Sequence, residues 1–194
     1  GCYRQHPVLM RDGGENPWGL TFSQGLFNMA SDSGLFLTAD DLATLGAECD
    51  GWAWRHGEER WLPMYESKLL SHWNSRFSTY AGASQAQLNV GALPRPTDEE
   101  LDDPDFEVRS QYWVTEADLR RELPETWTAG WLLGWRNITN ASVVRSFVPA
   151  VMPRAGAGHA FQIAYSSRSK QLPLLHAVWS SFVFDYIARQ KLSG

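Results

Sequence analysis

GWAWRHGEERWLPM (residues 51–64) decides the architecture. Two runs rich in aromatic and apolar residues, 51–55 and 60–64, flank His56-Gly57-Glu58-Glu59. A glycine among polar residues between two strand-like runs has the composition of an antiparallel hairpin. Trp52 and Trp54 are two apart, so they are expected to share one face of it.

Reading outward from the hairpin, the chain alternates short strands, short helices and turns. Residues 18–22 read as a strand. Thr38 is a good helix N-cap, with Asp41 three residues on, Leu42 and Leu45 facing inward and Gly46 as the stop. From Tyr65 the period changes. Tyr65, Leu69, Trp73, Phe77 and Tyr80 recur every three to four residues, which predicts a helix over 65–80. Residues 81–110 lack apolar periodicity and read as a long acidic loop or partly disordered excursion. Thr115 caps a further helix with Asp118, Leu119 and Leu123, ended by Pro124. Residues 129–136, 142–148 and 160–165 read as strands. Pro173 opens a last helix at its N1 position. Leu175, Val178, Trp179, Phe182 and Tyr186 form its apolar stripe, so Phe182→Ala is expected to cost about 3–5 kcal/mol as a buried aromatic truncation. The expected fold is α+β: a mixed, mainly antiparallel sheet with peripheral helices, closing on a C-terminal helix, in one domain over 1–194.

Composition bounds the function. The chain has 194 residues, 43% hydrophobic and 20% charged, which supports a sizeable core. No apolar run approaches the roughly 18 residues of a membrane helix. The first residues, GCYRQHPVLMRDGG, lack the pattern of a signal peptide. Cys2 and Cys49 make no disulfide framework and no zinc spacing. A cytoplasmic setting is expected. Net charge is −5, which excludes a wholly basic nucleic-acid coat but not a local basic patch. The seven acids of TDEELDDPDFE (97–107) account for more than that excess, since −5 + 7 = +2.

Catalytic motifs are sparse. There is no GxGxxG, no GxxxxGK[ST] and no GxSxG. Asn16-Pro17-Trp18 has the outline of the adenine-methyltransferase Asn-Pro-Pro-aromatic motif, but the second proline and a preceding methyl-donor loop are missing, so it reads as a turn. His6, His56, His72, His159 and His176 stand apart without metal spacing. Glu66-Ser67-Lys68, with Asp50 upstream, has the residue types of a Mg²⁺-dependent nuclease: carboxylates for the metal and a lysine for the water. A protein-interaction module using the ten tryptophans is another alternative. The sequons at Asn137 and Asn140 read as incidental. Arg136, Asn137, Thr139, Asn140, Ser142 and Arg145 instead carry the side-chain types that read DNA: Arg to guanine, Asn to adenine, hydroxyls to phosphate. On a helix over 65–80, Lys68, His72 and Arg76 would form a basic stripe for phosphates. The glycines of Arg154-Ala-Gly-Ala-Gly-His159 permit close approach to another strand or a ligand.

Four collinear stretches carry a family resemblance: NPWGLTFSQGLFNMASDSGLF (16–36), LPMYESKLLSHWNSRFSTY (62–80), WLLGWRNITNASVVRSFVPAVMPRAGAGH (131–159) and LLHAVWSSFVFDYIARQKLSG (174–194). Together they resemble the target-recognition region of bacterial type IIG restriction–modification enzymes, fused endonucleases related to TaqI-type adenine methyltransferases. The family-like Asp and His before Arg76 stand here as Asn74 and Ser75, and the family-like Leu-Asn of the final helix as Val178-Trp179.

The resemblance implies that this chain is a fragment of a larger enzyme and is itself non-catalytic. The parent would be an S-adenosylmethionine-dependent adenine-N6 DNA methyltransferase with Mg²⁺-dependent endonuclease activity; neither cofactor would bind this region. Implied partners are double-stranded DNA and the parent's methyltransferase and endonuclease domains, with no membrane. The expected DNA contacts are Lys68, His72, Arg76, Arg136, Thr139, Asn140, Arg145 and His159.

Overall fold

Gly57, at φ +58°, and Glu58 close the expected hairpin between β3 (Trp54–His56) and β4 (Glu59–Tyr65), with His56 opposite Glu59. A left-handed glycine in a two-residue turn matches the twist of paired strands. The computed structural model of the protein describes residues 9–11, 13–137 and 143–191. Trp52 lies before β3 and packs on the main core, whereas Trp54 packs on a smaller cluster with Leu42, Trp61 and Trp113. The two indoles therefore do not share a face. Asp50 causes the turn between them, accepting the N–H groups of Trp52 and Ala53 at 3.1 and 2.7 Å.

The fold is α+β with two sheets. One carries β2 (Glu48–Cys49), β3, β4 and β5 (Trp113–Thr115) in antiparallel order. The end of β4 also pairs, in parallel, with β8 (Gly156–Ala157). The other runs β1 (Leu20–Gln24), β9 (Phe161–Ser166), β6 (Trp131–Arg136) and β7 (Pro149–Pro153), all antiparallel. Residues 143–148 form no strand; the strand falls on Pro149–Pro153 instead. Pro149 and Pro153 lie within it, and β7 is an edge strand, where a missing N–H is tolerated. The Gly-rich 154–159 segment approaches another strand: a Cβ on Gly156 would lie 2.3 Å from the Met64 sulfur.

Helices lie at the periphery. The Thr38 side chain and Asp41 form a full capping box for α1 (Ala39–Thr44), which buries Leu42. Leu45 is exposed rather than inward, because it lies just past the helix. Residues 81–110 contain two helices, α2 (Gln85–Val90) and α3 (Asp98–Asp102), each opened by its own capping box, and Val108 reaches the core. Thr115 caps α4 (Glu116–Glu122). The expected last helix is two: α5 (Leu172–Trp179) and α6 (Phe182–Arg189), divided where the Ser181 hydroxyl accepts the Phe184 N–H at 3.1 Å. That N-cap fixes extended backbone at Ser181 and breaks the ladder.

The helix expected over 65–80 is absent. Strand β4 continues through Tyr65, a single 3-10 turn follows at Ser67–Leu69, and the chain then reverses. Ser71 and Asn74 exchange backbone hydrogen bonds of 2.8 and 3.1 Å, and Trp73 between them sits at φ +55°. A bulky residue in the left-handed region cannot continue a helix. The three-to-four-residue aromatic spacing comes from that turn. The stripe of Lys68, His72 and Arg76 dissolves with the helix.

Four tryptophans, Trp127, Trp131, Trp135 and Trp179, group around β6. Trp135 lies 5.6 Å from Phe147 and 5.4 Å from Trp179, and Phe147 lies 4.9 Å from Phe184. Splitting the last helix turns Phe184 inward and leaves Phe182 80% exposed and Tyr186 65% exposed. The large cost expected for Phe182→Ala is accordingly corrected. The Arg145 guanidinium lies 4.6 Å from its ring centre. Phe182→Ala should cost under about 1 kcal/mol by urea unfolding, the size of an exposed cation–π contact. Phe184→Ala should cost several times more.

Candidate functional site

The two sheets meet near the end of β4, and a cleft of about 730 Å³ opens there. Strand β4 delivers Glu66, Ser67 and Lys68 to one wall. Strand β6 delivers Arg136, its last residue, to another. The turn after β8 brings Gly158, His159 and Ala160. Met29, Ser33 and Phe36 come from the segment after β1, and Gln111 and Tyr112 from the approach to β5. Side chains alternate along β6, which puts Arg136 on the face opposite Trp135 and its helical cover.

Glu66 organises one side of the cleft. It accepts a hydrogen bond from the Tyr80 hydroxyl through one oxygen, and its other oxygen lies 3.2 Å from Lys68 Nζ. The ammonium also lies 4.9 Å from the Tyr80 ring centre. Burial, then the hydrogen bond to Glu66, pushes the Tyr80 phenol well above its ordinary range, so it remains the donor. Lys68 is thus a neutralised, positioned cation.

Arg136 differs. It is half-buried, and burial lowers its guanidinium pKa. Among the described residues no carboxylate or carbonyl pairs with its side chain. A partly desolvated cation without a partner favours whatever anion or acceptor enters beside it. His159 is exposed at the rim, with Nδ1 accepting the Met29 N–H at 3.5 Å.

Three of the expected contacts, Lys68, Arg136 and His159, therefore come together from distant parts of the chain. Thr139 and Asn140 lie outside the described residues. Arg76 is engaged elsewhere: its guanidinium donates to the carbonyls of Leu101, Asp103 and Phe106 at 2.9, 3.0 and 3.2 Å and ties α3 down. Arg145 donates to the Ser180 carbonyl at 2.7 Å and lies 3.7 Å from Asp185. An internal carboxylate thus faces Arg145, whereas among the described residues none faces Arg136. His72 sits in the field of Arg145, Asp185 and His176, away from the cleft lining. Gln111, Tyr112 and Phe36 carried no signal in the sequence, because only the folded sheets bring them to Arg136.

The nuclease constellation does not assemble around Asp50. That carboxylate caps its own turn, lies 3.6 Å from Arg55 and does not line the cleft with Glu66. Among the described residues no three His, Cys, Asp or Glu side chains gather for a metal. None of the described helices is long and apolar enough to cross a membrane.

His72 and His176 carry a pH consequence. Burial is the first cause lowering both pKa values below 6.5; the Arg145 charge adds to it at His72, and a backbone contact with Pro149 opposes it at His176. The fold therefore prefers both rings neutral. Their contribution to stability is complete above the unfolded value of 6.5 and falls as pH drops through the lower folded values. Melting temperature should fall between about pH 7.5 and 5.5, and His176→Gln should flatten that fall. An equal slope in the variant would remove His176 from the account.

Comparison with family models, with curated proteins and with solved structures finds no match.

Proposed function

We propose that the chain is a sequence-specific DNA-recognition domain of a restriction–modification enzyme, and that the cleft holding Lys68, Arg136 and His159 is its DNA-binding site. One observation carries this reading: Arg136 is half-buried in the cleft and no anion among the described residues pairs with it. Arginine is the side chain that most often reads guanine and that pairs phosphate in a bidentate fork. Lys68 and His159 add donors near it, and the collinear family resemblance supplies the biological setting.

In that setting, methyl transfer and cleavage belong to other domains of the parent, with S-adenosylmethionine and Mg²⁺ bound there. This region grips and reads the duplex. The exposed apolar residues Val178, Phe182, Val183 and Tyr186 favour a second, compatible role: α5 and α6 dock those neighbouring domains.

Fluorescence anisotropy with labelled duplexes across a salt series tests the reading. Lys68→Ala should weaken binding to every sequence and reduce the salt slope by about one. Arg136→Ala should cost about 1–3 kcal/mol on the preferred sequence and little on random DNA. Arg136→Ala that lowers melting temperature while leaving sequence preference intact would contradict it.

A further inference from the structure

The shape of the cleft limits what can reach Arg136. A duplex is read in its grooves by elements that protrude from the protein surface. Arg136 does the reverse: it is half-buried at the end of a central strand, inside a concavity of about 730 Å³. A duplex about 20 Å across is too wide to enter such a space, whereas a single nucleotide turned out of the stack suits it.

The lining has the parts that one nucleotide needs. Phe36 and Tyr112 lie 5.9 Å apart with their planes 35° from parallel, and both face the cleft. They supply an aromatic wall for a base. Arg136, with which no carboxylate or carbonyl among the described residues pairs, supplies a cation for a base acceptor. Gln111, with donor and acceptor on one amide, can read a Watson–Crick edge. Lys68 is held by Glu66 at 3.2 Å, so Arg136 is the more available of the two cations. We infer that the cleft receives one extruded nucleotide of the bound DNA, with its base against Phe36 and Tyr112 and an acceptor atom of that base on Arg136. This inference rests on the DNA-binding reading of the same site.

The test compares three 20-base-pair probes with the 194-residue chain: a fully paired duplex, the same duplex with a single mismatch, and one with a single nucleotide opposite an abasic site. A nucleotide already unpaired skips most of the unstacking cost, so the last probe should bind about tenfold or more tighter than the paired duplex, with the mismatch between them. Arg136→Ala should abolish that preference. Gln111→Ala, at an exposed position that the fold does not need, should reduce it in a protein of unchanged melting temperature. Excess deoxynucleoside monophosphate should compete for the abasic-site probe, and inorganic phosphate at equal concentration should compete less. Equal binding to all three probes, or a preference untouched by both variants, would overturn the extruded-nucleotide inference and leave DNA binding standing. Binding to none of the probes would overturn the DNA reading and this inference with it.

Discussion

Asp185→Ala is expected to lower the unfolding free energy by about 3–5 kcal/mol, the range for breaking a buried charge pair by removing one partner. Asp185 is only 5% exposed, although it sits in the first turn of a helix whose neighbouring residues face solvent. It accepts the Phe147 N–H at 2.7 Å and faces Arg145 at 3.7 Å and Arg189 at 3.6 Å. One carboxylate thus pins the 145–147 segment to α6, beside the Trp135, Phe147 and Trp179 rings. Removing it leaves Arg145 largely buried without its counter-charge and leaves a backbone donor unpaired. Asp185→Asn keeps an acceptor for Phe147 but not the charge, so its loss should be smaller. Urea denaturation at neutral pH measures both. A loss under about 1 kcal/mol for the alanine variant would mean the carboxylate is only a surface partner.

Gly134→Ala is expected to cost about 3 kcal/mol or more, at the upper end for overpacking. Strand β6 lies between β9 and β7, with Gly134 opposite Ile163 on one side and Ala150 on the other. A Cβ here would lie 2.1 Å from the Gln162 carbonyl oxygen and 2.5 Å from the Phe161 ring. The first is backbone inside the ladder, so relief requires the strands to part. Arg136 is two residues along the same strand, and that distortion would reach the cleft. Thermal melting, with amide exchange at Ile163 as the local readout, tests this. An unchanged melt would mean that the ladder accommodates the methyl group.

What the sequence made legible was what short-range chemistry determines. Thr38 with Asp41 and Thr115 with Asp118 announced two helices, and Gly57 announced the hairpin. Ser84 with Gln87 and Thr97 with Glu100 carried the same cap signal inside 81–110, where the acidic and Gly/Pro-rich composition outweighed it. Illegible features depended on partners far away in sequence. The turn at Ser71–Asn74 imitated a helical period. Pro149 and Pro153 hid a strand that only its edge position permits. The Ser180-Ser181 break turned Phe184, rather than Phe182, toward the core. Lys68, Arg136 and His159 could be named singly by residue type, but their convergence with Phe36, Gln111 and Tyr112 depends on β4 meeting β8 and β6 meeting β9. Arg76 and Arg145 were indistinguishable from Arg136 by type. Only their neighbours separate two arginines held by the fold from one that lines the cleft.

The most direct test of the central claim is a selection of duplexes from a randomised library by the 194-residue chain, sequenced and repeated with Arg136→Ala. The account expects the wild-type chain to enrich a defined short sequence. It expects Arg136→Ala, folded and with its salt slope nearly intact, to lose preference at one position by about tenfold or more. A library that emerges unenriched from the wild-type chain, or the same enriched sequence from both proteins, would contradict it.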